Sequence, residues 1–458
     1  MRMAHSESRG PGVSLRNTVL TNVAAMAMNV CASVICARML GPRGRGAFSA
    51  IQMWPILAAG LGTLGLPRAA TYYMGKNRYS GADIVTTGTL ALIASAALSA
   101  LILYVSMPLL TASQPGSVAM YARWCIALLP MLYLGSLPHY VLQGLNRLHT
   151  WNLVRLQQPV LWLAMHVTGY ALRRTDQPVL WLAMHVTGYA LRRTDLAFYV
   201  WGYIIVTSLH NLTWLLVFVA RFRVIGKLQA GIARRLFRYG MPLTLGSMPQ
   251  FLNLRLDQVL MAALVPPRVL GLYVTAVAWS GLVMPVLNGS SQVLFPLIMA
   301  LKDTSRQYEL LGRSFRLSTL AAAACAGALI LCTPFAIPFV YGKAFADASL
   351  PACILTLGTV FLSLNNVLSE GFRALGMPKY PMYAELAGFG ATGGLLLVLL
   401  PRWPLVGASC ASVISYGVTS IVLIVCAARM GAITTSRLMA PQRADIRVLR
   451  RVLQESWR

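Results

Sequence analysis

Carboxylates are scarce in this chain: 12 Asp and Glu stand against 39 Lys and Arg, a formal charge of +27. Acid–base chemistry needs placed acids or bases, and no such cluster of carboxylates appears, so an enzyme is disfavoured. A Gly-rich loop followed by Lys, the cradle of nucleotide phosphates, is also missing, which removes the sequence basis for ATP hydrolysis. The eight cysteines are scattered within or beside apolar stretches without metal-ligand spacing, so they form neither a disulfide framework nor a metal site and read as small packing residues. Long polar segments are lacking too, since charged residues make up only 11% of the chain.

What fills the chain is hydrocarbon. Apolar residues account for 57%, gathered into twelve stretches compatible with the roughly 20 residues that a bilayer core demands. They are Asn17 to Leu40, Ala47 to Leu66, Asp83 to Leu110, Arg123 to Leu145, Leu153 to Leu172, Leu196 to Ala220, Gly240 to Val265, Val269 to Leu301, Leu317 to Val340, Leu350 to Leu368, Pro381 to Leu400 and Leu405 to Ala428. With the first span running outward, 27 of the Lys and Arg lie in or beside inner segments and 10 in or beside outer ones. The positive-inside rule then places both termini in the cytoplasm of an inner, cytoplasmic membrane. The first apolar stretch is too long for a signal h-region and reads as a retained anchor. The basic tail suits an anionic lipid surface rather than nucleic acid.

Residues 158–176 recur without change as residues 177–195. A thirteenth span there would invert every later loop and carry the basic segment from Arg221 to Arg238 outside. The extra copy is therefore expected not to cross the membrane, and its apolar run of about 14 residues fits an interfacial or re-entrant segment.

The expected organisation is an N-terminal lobe of six spans over residues 1–220, a basic amphipathic linker over 221–239, a C-terminal lobe of six spans over 240–428 and a basic cytoplasmic tail over 429–458. In the linker, Val224, Ile225, Leu228, Ile232 and Leu236 recur near helical spacing among Arg and Lys, as in a helix lying on a membrane surface. Faint repeats relate the halves. ARMLGPRGRGAF at Ala37 aligns with AALVPPRVLGLY at Ala262, pairing Pro42 with Pro267, Arg43 with Arg268, Gly46 with Gly271 and Phe48 with Tyr273, and LQGLNRLHTWNLVRL at Leu142 aligns with FRALGMPKYPMYAEL at Phe372, pairing Arg155 with Glu385. Transporters built from repeats place their substrate at the repeat interface.

The stretches ARMLGPRGRGAFSAI, LRLDQVLMAALVPPRVLGLYVTA, PFVYGKAFADASLPACILTLG, FRALGMPKY and LLPRWPLVGASCASVISYG make the chain resemble the polysaccharide transporters, the Wzx-like oligosaccharide flippases, of the multidrug/oligosaccharidyl-lipid/polysaccharide exporter superfamily. The resemblance implies an all-α polytopic membrane protein of about twelve transmembrane helices in two six-helix lobes around a central cavity that opens alternately to each side. It implies a polyprenyl-diphosphate oligosaccharide as cargo, moved from inner to outer leaflet for surface polysaccharide export, with membrane lipids and a glycan polymerase or glycosyltransferases as partners. The first-span arginine pattern and two extra C-terminal helices associated with peptidoglycan-precursor flippases are missing, which points away from lipid II.

A diphosphate crossing hydrocarbon needs shielded, fixed cations, and arginine binds phosphate oxygens in pairs without deprotonating. Intramembrane charge is costly and marks candidate sites. The substrate-binding candidates are Arg255, Arg38, Arg68 and Arg155. The coupling-ion candidates, for a proton or Na⁺, are Asp257 and Glu385, with no other cofactor expected. The plainer readings are an interhelical ion pair for Arg255 and Asp257, a helix-end carboxylate satisfied by Lys379 or water for Glu385, and arginines snorkelling to headgroups for Arg38, Arg43, Arg45 and Arg268. His210 and Asn211 read more readily as an interhelical contact than as a proton relay. The rival functions are a small-molecule or drug antiporter of the same superfamily, disfavoured by so few intramembrane carboxylates, and an inactive paralogue.

Overall fold

The computed structural model describes residues 11–76, 79–144, 147–174, 195–222, 226–284, 294, 297–301 and 303–429. The second copy of the duplication and the basic tail lie outside these residues, apart from the single positions 195 and 429. Every regular element among the described residues is helical. Among the described residues, eight helices are long and apolar enough to cross a membrane, and the chain is a multi-pass membrane protein. It divides into two compact units, Met1–Met248 with Gln258–Gly271, and Pro249–Asp257 with Leu272–Arg458.

In the first unit, α1 (Pro11–Gly62) contains two of the expected spans. They part at Gly41, whose φ of 64° and ψ of 179° only glycine adopts without strain, just before Pro42. There follow α2 (Leu66–Gly75), α3 (Gly81–Leu110), α4 (Gly116–Cys125), a 3₁₀ turn at Ile126–Leu128, α5 (Leu129–Gly144), α6 (Leu148–Arg174) and α7 (Asp195–Phe222). Phe48, Ile51 and Trp54 are buried, and α1 packs along α6. Tyr133 on α5 ties this core together, its hydroxyl lying 2.8 Å from the Ala58 carbonyl and 2.7 Å from Ser99 Oγ.

The linker differs from the expected single amphipathic helix. Residues 226–229 form no regular element, and α8 (Ala230–Asn253) runs on into the seventh span. The cause lies at the start of α3. Asp83 Oδ1 accepts from the Lys227 N–H at 2.7 Å, Asp83 Oδ2 from Gln229 Nε2 at 2.8 Å, and Thr86 Oγ1 from the Gly226 N–H at 2.9 Å, so donors that would enter a helix are satisfied elsewhere. From Ala230 the amphipathic pattern holds, with Ile232 and Leu236 buried and Arg234, Arg235 and Arg238 exposed. Asp83→Ala is expected to free this segment, seen as faster tryptic cleavage after Lys227; an unchanged cleavage rate would mean that Asp83 does not hold it.

Helix α9 (Leu256–Leu264) completes the seventh span after a break at residues 254–255, and α10 (Pro267–Ser280) begins the eighth. Here the two repeat-related glycines meet. A Cβ built on Gly46 would lie 1.7 Å from the Pro267 carbonyl oxygen, and one built on Gly271 would lie 1.8 Å from the Pro42 carbonyl oxygen. The contact is reciprocal, as between two copies related by a two-fold axis. Nearby, Gln114 Nε2 donates to the Ala262 and Val265 carbonyls at 2.8 and 2.9 Å, capping the end of α9.

In the second unit, α11 (Thr304–Tyr341), α12 (Ser349–Ala374), α13 (Lys379–Leu399) and α14 (Pro404–Arg429) pack as neighbours. Asp303 caps α11 by accepting from the Ser305 N–H at 2.9 Å. In the first half of α14 the buried residues up to Ser415 are all small, Gly407, Ala408, Ser409, Ala411, Ser412 and Ser415, which let α13 approach closely and turn hydroxyls toward it. Phe335 and Phe339 are 82% and 80% exposed, as suits a surface solvated by acyl chains rather than water.

Candidate functional site

Two polar sites are built inside otherwise apolar helices, one in each unit.

The first is a cavity of about 430 Å³ in the N-terminal unit, lined by residues of α1, α5, α6 and α7 that include Asn29, His139, Arg155, Gln158, Trp162 and His210. Arg155 enters on the second turn of α6, its guanidinium 4.5 Å from the centroid of the Trp151 ring, a cation–π contact that positions the group while leaving its donors for a ligand. His139 Nε2 accepts from Trp151 Nε1 at 3.2 Å. His210 Nδ1 lies 2.9 Å from Gln157 Oε1 and donates to it, an interhelical contact as its sequence position implies. Asn211 donates to the Thr207 carbonyl at 2.8 Å. A smaller cavity of about 160 Å³ shares Asn29 and Trp162 with the first and adds Ser33, Arg45, Phe48, Gln52 and His166. Among the described residues, no carboxylate lines either space. Such a lining is chemically suited to an anion that brings its own charge and hydroxyl groups.

The second site is a buried network in the C-terminal unit. Asp257, 2% exposed, accepts from the hydroxyl of Tyr273 and from Ser412 Oγ at 3.0 Å. Glu385, 7% exposed, accepts from Asn253 Nδ2 at 3.2 Å. Thr392 Oγ1 donates to Asn253 Oδ1 at 2.6 Å, and Ser415 Oγ donates to the Gly388 carbonyl at 2.7 Å. Asn253 and Asp257 flank the break at 254–255, and Ser415 and Ser412, which donate to Asn253 Oδ1 and Asp257 Oδ2 at 3.0 Å each, are one turn apart on α14, so the two carboxylates sit in two neighbouring hydrogen-bonded groups. Gly388 makes this possible: a Cβ there would lie 2.2 Å from Thr419 Oγ1 and 3.0 Å from Asn253 Nδ2.

The other sequence candidates lie elsewhere. Arg255 is half-buried at the break, and Arg38 and Arg68 are exposed, near the Gly41 break and on the first turn of α2; none of the three lines either cavity. Lys379 sits over the Tyr380 ring, 5.3 Å from its centroid, and Asn253 rather than Lys379 is the partner seen on Glu385. Asn253, Ser412, Ser415, Thr392, His139 and Trp162 carry no signal in the sequence, and Tyr273 stands out there only as the repeat counterpart of Phe48.

Residues 190–350 match a family described as polysaccharide biosynthesis protein. No curated protein matches the chain. Among solved structures, a multidrug resistance MATE family transporter of the MOP superfamily in an inward-facing conformation aligns with a TM-score of 0.71 at 12% identity, covering 90% of this chain and 96% of that one. The lipid II flippase MurJ in an inward closed conformation aligns at 0.70 and 14%, covering 89% and 87%. A MOP superfamily transporter from Pyrococcus furiosus, described as having a binding pocket of reverse polarity, aligns at 0.59 and 14%, covering 93% and 95%. At these identities the likeness establishes a shared fold alone, an all-α polytopic membrane fold. Together with the polysaccharide-biosynthesis match, it supports the polysaccharide-transporter resemblance and the exporter superfamily. The structural neighbours are transporters and a flippase, not enzymes.

Proposed function

We propose that this protein is a flippase of the cytoplasmic membrane that moves a polyprenyl-diphosphate-linked oligosaccharide from the inner to the outer leaflet by alternating access, for surface polysaccharide export. The observation that carries this reading is the cavity holding Arg155, His139 and His210 without a carboxylate among its described lining residues. A cation in a cavity among apolar helices is expensive unless a ligand supplies the opposite charge, and a diphosphate does so with oxygens that fit a guanidinium fork. An organic cation would meet repulsion there.

Both termini lie in the cytoplasm in this reading, which puts Arg155 toward the inner leaflet. Arg38 and Arg68, exposed near helix ends, and Arg255, at the break in the seventh span, are the further cations offered to headgroup phosphates. Asp257 and Glu385 take the coupling ion, a proton or Na⁺, whose binding exchanges with hydrogen bonds from Tyr273, Ser412 and Asn253. The product, presented on the outer leaflet, passes to a glycan polymerase or glycosyltransferases.

The test is reconstitution of the full chain in liposomes with a fluorescent polyprenyl-diphosphate oligosaccharide and a membrane-impermeant quencher. The expected result is protein-dependent exchange between leaflets, slowed by Arg155→Ala about ten- to a hundredfold, as befits loss of a charge-assisted hydrogen bond. Absence of exchange, with transport of an organic cation instead, would overturn the assignment in favour of a small-molecule antiporter.

A further inference from the structure

Arg45 is not used by the diphosphate site. It lies just past the Gly41 break and folds back along α1, donating from its two terminal nitrogens to Cys36 Sγ at 3.4 Å and Ser33 Oγ at 3.2 Å. Its Nε is buried without a hydrogen-bond partner. A buried guanidinium N–H left unmade is costly, and this one lies beside the 160 Å³ cavity, whose described lining holds no acid. Opposite is His166, 4% exposed. Its Nδ1 lies 2.7 Å from the Trp162 carbonyl and donates to it, so the neutral ring presents Nε2 as an acceptor. Gln52 adds an amide. Trp162, stacked on Tyr203 with centroids 5.7 Å apart, and Phe48, edge-on to Trp162 at 6.2 Å, supply aromatic walls.

Arg155 and Arg45 line two distinct but adjoining cavities. Arg155 and His166 are eleven residues apart on α6, about 16 Å along the axis at 1.5 Å per residue, and Trp162 and Asn29 form the wall common to both cavities. An extended molecule with an anion toward each end fits this arrangement. One end is the diphosphate; the other must offer a planar anion to Arg45, a hydroxyl to His166 and an apolar ring face to the aromatic wall.

We infer that the Arg45–His166 cavity is a sugar subsite that recognises a carboxylate-bearing residue of the uronic-acid type, so that the cargo is an acidic oligosaccharide. The inference rests on the flippase reading and names the class of glycan carried. Arg45 binds the carboxylate, His166 accepts a sugar hydroxyl, and Trp162 and Phe48 flank the pyranose ring.

The experiment measures binding of two synthetic polyprenyl-diphosphate oligosaccharides to the purified full-length protein in lipid nanodiscs. They are identical except that one carries a terminal hexuronic acid and the other the corresponding neutral hexose. The acidic probe is expected to bind about ten- to a hundredfold more tightly, the range for one charge-assisted hydrogen bond. Arg45→Gln should bring the two probes to the same affinity, Arg45→Lys should keep part of the preference, and Arg155→Gln should weaken both by a common factor. Variants are compared only after size-exclusion profiles show the folded monodisperse protein; should Arg45→Gln fail this, Arg45→Lys and His166→Gln carry the comparison. Equal affinity of the two probes for the unsubstituted protein would overturn the acidic-sugar subsite while leaving the flippase reading in place. So would a loss of both probes alike in the Arg45 variants, which would assign Arg45 to the diphosphate. Failure of both probes to bind the unsubstituted protein would refute the flippase reading and the subsite with it.

Discussion

Asp257→Asn is expected to abolish ion-driven transport, with flipping reduced on the order of a hundredfold, about 2.7 kcal/mol in the barrier, while the protein stays folded. The carboxylate is buried and receives hydroxyls from Tyr273 and from Ser412 at 3.0 Å. Asparagine keeps an oxygen acceptor of the same shape, so packing survives, but it cannot take up a proton or offer a cation a full negative charge. Glu385→Gln should act in the same direction, because Glu385 is the second buried carboxylate of this unit, held by Asn253 at 3.2 Å, whose Oδ1 accepts from Thr392 at 2.6 Å. The check is flipping in proteoliposomes under an imposed proton or Na⁺ gradient. The gradient should accelerate the unsubstituted protein and leave Asp257→Asn at the rate seen without one. An equal response of both would remove Asp257 from coupling and leave it a structural hydrogen-bond acceptor.

The second large effect belongs to the glycine pair. Gly46→Val and Gly271→Val each direct a side chain into a backbone carbonyl, at 1.7 and 1.8 Å for the first added carbon alone. Flexible side chains can move away from such a clash, but backbone can do so only if the helices separate. Overpacking of well-packed sites costs about 1–3 kcal/mol and more where nothing yields. Either substitution is therefore expected to lower the apparent Tm in detergent by a few degrees, about 1–5 °C. Gly281→Val, a neighbouring glycine with nothing within 4 Å of its added Cβ, is the control expected to change it little. Similar melting of all three variants would mean that the close approach does not contribute to stability.

The spans were legible because hydrocarbon thickness sets a length that composition reveals directly. Even the division of α1 was readable, since a Gly-Pro pair followed by arginines interrupts the apolar run at Gly41. The alignment of Gly46 with Gly271 identified them as equivalent positions, but equivalence is not contact; that they meet depends on how the segments pack. Asp257 and Glu385 stood out as rare charges within apolar sequence. Their partners did not, because serine, threonine and asparagine are ordinary in membrane helices and only the register of α8, α9, α10, α13 and α14 decides which polar group faces which carboxylate. Arg155 was visible as a cation beside a span. The groups around it come from four helices distant in sequence, so no local pattern marks the cavity. The linker was misread in its first residues because Asp83 and Thr86, more than a hundred positions earlier, take the backbone donors that a helix would use.

Leaflet-resolved detection of polyprenyl-diphosphate glycan in cells with and without the gene, using a membrane-impermeant lectin or glycosidase, tests the central claim most directly. Deletion should accumulate the glycan in the inner leaflet, and the intact gene should restore outer-leaflet exposure whereas Arg155→Ala should not. An unchanged distribution between leaflets on deletion would contradict it.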